Sequence, residues 1–245
     1  MIKLFRNIRK NLLKEGKTAN YLKYAIGEIV LVVIGILLAL QINNWNENRK
    51  LQKEELKLLH DIKANLKATL EDFEMDTLVS YQQIQKYQKI EHYMQKGLPY
   101  SNELDSAFGV LTFWNNPYIT TTAYKTLQNK GLDLIKNESL KNEIINMYEV
   151  EFQVLLTDYD RSEWNLSENV VVPFFSKHIR RLDGKSLNLA RPNDFEELKR
   201  NDEFQNILSM LVRQRKRGLL FFRETIQIAT KLIEQLDKEI NSRTK

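Results

Sequence analysis

The chain has no cysteine, and only 8 glycines and 4 prolines in 245 residues. Without cysteine there is no disulfide, no thiolate nucleophile and no cysteine zinc site. With so few glycines and prolines the chain has few places to turn, which favours long helices over many short strands. No strand-period run of useful length, internal repeat or low-complexity segment occurs, and VVVPFF at 170–175 is the one ambiguous apolar run. Catalytic signatures are missing as well. There is no glycine-rich dinucleotide loop, no P-loop and no G-x-S-x-G elbow. His60, His92 and His178 fall on separate predicted helices with no ligand at helical spacing, and no Glu-x-x-His pair of the di-iron type exists. The reading is therefore of a protein that is not an enzyme and carries no cofactor and no metal.

What the sequence does have is one apolar run, YAIGEIVLVVIGILLALQINNW, from Tyr24 to Trp45. Up to Ile42 its only exceptions to apolar or small residues are Tyr24, Glu28 and Gln41. A membrane span needs about 20 such residues at ~1.5 Å each to cross ~30 Å of hydrocarbon. Tyr21 and Tyr24 stand at one edge and Trp45 at the other, where amphipathic rings favour the headgroup level. The competing reading is a buried helix in a soluble core, which the uninterrupted part from Ile29 to Leu40 would suit. Length, aromatic edges and basic flank together favour a transmembrane helix.

Glu28 is the exception that matters, since an ionisable group inside a span is costly. At about 100° per residue, Gly35 and Ala39 lie roughly 20° to either side of it. The three form one stripe, and Gly35-x-x-x-Ala39 lets another helix approach closely. A carboxyl there, between helices, would donate a hydrogen bond. Alternatively Glu28, barely one turn inside the boundary, reaches the headgroups.

The charge is unevenly placed. Of a net +5, residues 1–23 hold seven Lys or Arg against Glu15 alone, or +6, which leaves −1 for the rest. An excess beside a span points to anionic lipid rather than nucleic acid. Residues 2–14, IKLFRNIRKNLLK, predict a short basic amphipathic helix lying in the membrane surface. Gly16 ends it, and Lys17 to Asn20 form a hinge into the span. No small-x-small cleavage site follows the apolar run, so the segment reads as an uncleaved anchor. Six basic residues over 4–23 against five over 44–63 favour a cytoplasmic N-terminus, with the rest of the chain outside.

From Trp45 no breaker occurs until Gly97. Leu56, Leu59, Ile62, Leu66, Leu70 and Phe73 recur every three or four residues, so the spacing predicts one long helix continuous with the span. Short helices follow over 101–113, capped by Ser101, and over 121–130, stopped by Gly131. A second long helix runs over 138–181, capped by Asn137 and kinked at Pro173. Asp183-Gly184 makes a turn. Asn193 caps a helix over 193–200, and Asn201 a third long one over 202–241. Glu54-Glu55, Glu196-Glu197 and the run from Arg213 to Arg217 read as solvated faces. The last is also a weak candidate for nucleic acid. Trp114, Tyr118, Tyr124, Trp164, Phe174 and Phe175 are either core or the lining of a ligand pocket.

The stretch YLKYAIGEIVLVVIGILLALQINNWNE after a basic start resembles the signature of a bacterial family of small single-span membrane proteins of unknown function. The likeness is specific over about residues 1–50. It is looser at AYKTLQNKGLDLIKNESLKNEI, which is similar to a helix–Gly–helix element of that family. The resemblance implies an N-terminal anchor and a helical outer domain, but no activity.

The expected protein is all-α. A basic amphipathic surface helix (1–20) and a transmembrane helix (21–45) continue into an antiparallel helical bundle (46–245) on the periplasmic side of the bacterial inner membrane. It is expected to act as a scaffold- or sensor-like interaction module. It would self-associate as a homo-oligomer, or pair with a partner membrane protein, through Glu28, Gly35 and Ala39. The alternative function is an ion- or proton-coupled component using Glu28.

Overall fold

The computed structural model describes residues 18–182 and 188–243, apart from the side chains of residues 18–21 and 24. The basic helix expected at 2–14, Gly16 and the Asp183-Gly184 turn lie outside them. Of the described residues 84% are helical, so the all-α class holds. It divides into two compact units, 1–56 and 57–245.

Helix α1 runs Thr18–Gln95. Residues 18–20, expected to form a hinge, are instead its first turn. Its end is where the sequence places it: Gly97 adopts φ 63°, the left-handed conformation that glycine reaches without a Cβ penalty. In unit 1, the helix carries its apolar residues in the open. In unit 2, it buries Leu59, Ile62, Leu66, Thr69, Phe73, Asp76, Ser80, Gln83, Tyr87 and Ile90. Those positions alternate steps of three and four, the 3.5-residue period of a coiled-coil seam. Glu55, expected in solvent, is only 1% exposed, because it lies on the same face as Leu58, Leu59 and Ile62.

After a 3-10 turn at Asn102–Leu104 capped by the Ser101 hydroxyl, α2 is short, Asp105–Gly109. It stops four residues before the predicted end. Gly109 packs so closely on the backbone of Asn188 that a Cβ would collide with it. Residues 113–121 then run without helix or strand to α3, Thr122–Lys130. Gly131 at φ 98° ends α3.

The second long helical stretch, 138–178, begins at the expected cap, where Asn137 Oδ1 accepts from Leu140 N–H at 3.2 Å. Its interior departs from the α-helix. Segments α4 (Glu138–Asn146), α5 (Phe152–Val154), α6 (Arg161–Leu166) and α7 (Val172–His178) alternate with π-helical turns at Met147–Glu151, Leu155–Asp160 and Ser167–Val171. The sequence supplies the reason. Leu155, Tyr159, Glu163, Ser167, Val171 and Phe175 are all buried, at a strict spacing of four. An ideal α-helix gains about 40° with each such step, so five steps would carry the row roughly 200° around the axis. The wider i→i+5 turns absorb that drift and keep the row on the core. Pro173 sits in the first turn of α7, where its missing N–H is tolerated.

A two-stranded hairpin follows, β1 (Ile179–Arg181) antiparallel to β2 (Ala190–Pro192). Three-residue strands are too short for a period-2 signal, and the predicted helix therefore ends three residues early. Helix α8, Phe195–Lys199, is capped by Asp194, which accepts from Glu197 N–H at 3.0 Å. Asn193, the expected cap, bonds the hairpin end instead, its N–H donating to His178 C=O at 2.8 Å. Helix α9, Asp202–Arg243, does start at Asn201, whose Oδ1 accepts from Phe204 N–H at 2.9 Å. It repeats the 3.5-residue seam of α1, through Phe204, Leu208, Leu211, Arg215, Gly218, Phe222, Thr225, Ala229, Leu232 and Leu236.

In unit 2 the contacts set the directions. Lys63 meets Asp237, Phe73 meets Phe222 with ring centroids 5.3 Å apart, and Gln83 meets Arg215. Asn137 bonds Glu239, and Phe174 stacks on Phe204 at 5.5 Å. Thus α9 runs antiparallel to both other long helices, while those two run the same way. The return leg between them is the segment after α2.

Candidate functional site

Two places hold what the sequence singles out. The first is the apolar segment of α1. An 18-residue window there has mean hydropathy 2.6 and none of it is buried. Ile29 is 63% exposed, Leu31 64% and Leu37 57%. The core-helix reading required these side chains to be covered by this chain's own residues, and they are not. The segment is one helix long and apolar enough to cross a membrane. Glu28 is half-buried, Gly35 and Ala39 are exposed, and a Cβ on Gly35 would meet nothing within 4 Å. Trp45 is 64% exposed with Arg49 over its ring at 5.8 Å. The side chains of Tyr21 and Tyr24 lie outside the described set. Gly35 and Ala39 thus share one open face, and Glu28, half-buried, stands in line with them as the helical spacing requires.

The second place lies in unit 2, and the sequence reading missed it. The return leg crosses α1 as a strap without helix or strand over 113–121, between a turn at 110–112 and the start of α3. Asn116 precedes a proline and Ile119-Thr120-Thr121 are β-branched, so helix is disfavoured here. Extended backbone on a helix still needs hydrogen-bond partners, and α1 supplies them from side chains. Tyr87 O–H donates to Val110 C=O at 3.2 Å, and Gln83 Nε2 to Phe113 C=O at 3.0 Å. Asp76 Oδ1 accepts from Asn115 Nδ2 at 2.8 Å, and Asp72 Oδ2 from Tyr118 N–H at 2.9 Å. Thr69 Oγ1 accepts from Thr120 N–H at 3.1 Å, and Asn65 Oδ1 from Ala123 N–H at 2.8 Å. Read along α1, these form a polar ladder that lies beside the hydrophobic seam and partly within it.

Behind the ladder sits Arg215, only 1% exposed. Its Nη1 pairs with the Glu163 carboxylate, Nε donates to Gln83 Oε1 at 2.6 Å, and Nη2 donates to Phe113 C=O at 2.8 Å. One guanidinium therefore joins α9, α6, α1 and the strap. Burial opposes its charge, but Tyr87, Glu163 and Tyr159 around it outweigh that and hold its pKa above the ordinary value. The same burial pushes the Tyr87 and Tyr159 phenols up. Asp76, 5% exposed, is lifted to about 6 by burial. The Asn115 hydrogen bond works the other way, and the charge of Asp72 adds to the rise. Asp76 Oδ2 and Ser167 Oγ are buried with no hydrogen-bond partner.

The run from Arg213 to Arg217 is therefore not a uniform solvated face: Arg213, Lys216 and Arg217 are exposed, while Arg215 is core. The signal was available. Arg215 stands four residues from both Leu211 and Leu219, inside the 3.5-residue apolar stripe. The aromatic candidates do not converge on one pocket. Tyr124, Phe174 and Phe175 are buried, Tyr118 is 70% exposed, and Trp114 meets Trp164 edge-on at 5.8 Å while donating to Asp160 Oδ1 at 3.2 Å. His60 and His92 are exposed, and His178 stacks on Phe174 at 4.4 Å.

These features define an all-helical protein with one exposed apolar helix segment and a bundle whose mid-core is polar and strapped. The chain belongs to a family of unknown function (DUF6090), whose model matches residues 28–189. The match begins at Glu28, takes in the strap and Glu163, and leaves out the basic start and α9. No curated protein and no solved structure matches the chain.

Proposed function

We propose that this protein is a membrane-anchored helical module that acts by binding. The single observation that supports this is the apolar segment of α1, contiguous and wholly uncovered. Exposed apolar surface of that extent marks a membrane or a partner, and a length near 20 residues suits hydrocarbon. The segment crosses the bacterial inner membrane once. The basic start lies on the cytoplasmic side against anionic headgroups, and the bundle is periplasmic. Two chains, or this chain and a partner membrane protein, meet along Glu28, Gly35 and Ala39. The open space around Gly35 supports close approach there. A binding role also accords with the buried polar groups of the bundle, which are engaged in holding its own elements together.

Alkaline carbonate extraction of membranes tests the anchor: the chain is expected in the pellet, and release into the supernatant overturns the reading. Cross-linking in native membranes tests the association, which Gly35→Leu is expected to abolish. The alternative, an ion- or proton-coupled role for Glu28, is separated by Glu28→Gln, which keeps a hydrogen bond but removes a titrating group.

A further inference from the structure

We infer that the strap over 113–120 is a proton-operated latch, held shut on α1 while the Asp76 carboxyl is neutral and loosened when it ionises. The geometry carries this. Asp76 sits within the polar ladder, midway between the points where Gln83 and Thr69 grip the strap. Its Oδ1 holds Asn115, but Oδ2 is buried against protein with nothing to accept from. A neutral carboxyl bears such a site far better than a carboxylate, whose desolvation would go uncompensated.

The groups that face Asp76 do not relieve it. On α1, Asp72 is a like charge one turn away. From the second helical stretch Tyr159 faces it, and Asp160 is occupied with Trp114 of the strap. The buried cation of this core, Arg215 of α9, is already paired with Glu163. The strap contributes only the neutral Asn115. The element that can move is the strap: past the turn bond from Phe113 N–H to Val110 C=O, its backbone is gripped by side chains, at Phe113 C=O, Tyr118 N–H and Thr120 N–H. Lifting it would hydrate Asp76 and leave the long helices in place.

The sign follows from the two states. With the strap open, Asp76 is hydrated and titrates near its ordinary 3.8; with it shut, at about 6. Below pH 4 both states are neutral and the latch is at its tightest. Between about 4 and 6 the open state ionises first, so each pH unit favours opening by roughly tenfold. Above 6 both states are charged and the balance is constant.

The test is hydrogen exchange on the full-length chain in detergent micelles, corrected for intrinsic exchange. The Thr120 amide is the reporter of the strap and the Ile90 amide that of α1. Thr120 protection is expected to fall on the order of a hundredfold between pH 4 and 6 and then level off, while Ile90 stays protected. In Asp76→Asn the fall should vanish. If that variant does not fold, Asn115→Ala serves. It removes the bond that holds the Asp76 pKa down, so the levelling point should move above pH 6. An unchanged profile in either variant, or Thr120 and Ile90 losing protection together, overturns the latch.

Discussion

The two halves of helix α1 invert the usual rule in opposite ways. Over 25–42 the apolar side chains are outside: Ile34 is 50% exposed and Leu40 53%. Over 57–95 the polar ones are inside: Thr69, Asp76, Ser80 and Gln83 are each 5% exposed or less. The backbone is helical throughout, so secondary structure does not account for the difference. The difference lies in what covers each face. Leucine and isoleucine are stable outside only if the outside is not water. Aspartate and glutamine are stable inside only if each finds a hydrogen-bond partner, and the strap and Arg215 are those partners. Apolar content by itself therefore does not locate the core of this protein; it has to be read with the period of the pattern.

The largest expected effect breaks the buried half of that comparison. Glu163→Leu alone strands the Arg215 charge and should cost about 3–5 kcal/mol, read as a denaturant midpoint shift. Glu163→Leu with Arg215→Met removes both charges and should recover much of that loss. A double variant as weak as the single one would show that the pair is not what matters. The exposed half is tested by Ile34→Lys. If hydrocarbon surrounds it, insertion should be weakened by roughly 2.5–3.5 kcal/mol, seen as chain lost from the membrane fraction. If water surrounds it, the change should be silent.

A smaller effect sharpens the packing of α9 on the second helical stretch. A Cβ on Gly218 would lie 2.6 Å from Cζ of Tyr159, a ring only 1% exposed. Gly218→Ala should therefore cost about 1–3 kcal/mol in thermal or chemical unfolding, against the gain usual for alanine in a helix. The smallest is Asn201→Ala, which removes the α9 cap at roughly 1 kcal/mol. It should leave the strap untouched, and a measurable change in Thr120 protection would contradict that separation.

Much of this fold is legible in the residues. The starts at Asn137 and Asn201 and the stops at Gly97 and Gly131 stand where local chemistry puts them, because a cap is an interaction between neighbours in sequence. The misreadings are equally local. Thr18 to Asn20 carry no breaker, so the expected hinge is helix. Asp194 rather than Asn193 caps α8, since two good cappers stand side by side and the hairpin takes one. The four-residue spacing from Leu155 to Phe175 was present in the sequence, and an assumed α-helical period hid its consequence, the π turns. Arg215 was lost among its charged neighbours, although its phase placed it in the stripe.

The sequence alone determined the three long helical stretches, the starts at Asn137 and Asn201, the stop at Gly97, the three- and four-residue seams and the apolar run before Trp45, because period, capping and hydropathy are properties of nearby residues. Only the tertiary structure decided that Arg215, Glu163, Gln83 and Phe113 C=O meet, and that residues 113–118 lie extended across Asp72 and Asp76. Such polar partners are 30 to 132 residues apart, and nothing in the local pattern selects among the many donors and acceptors they could have found. Packing selects them, since each buried charge and each unpaired backbone group must be satisfied by whatever the bundle brings within reach.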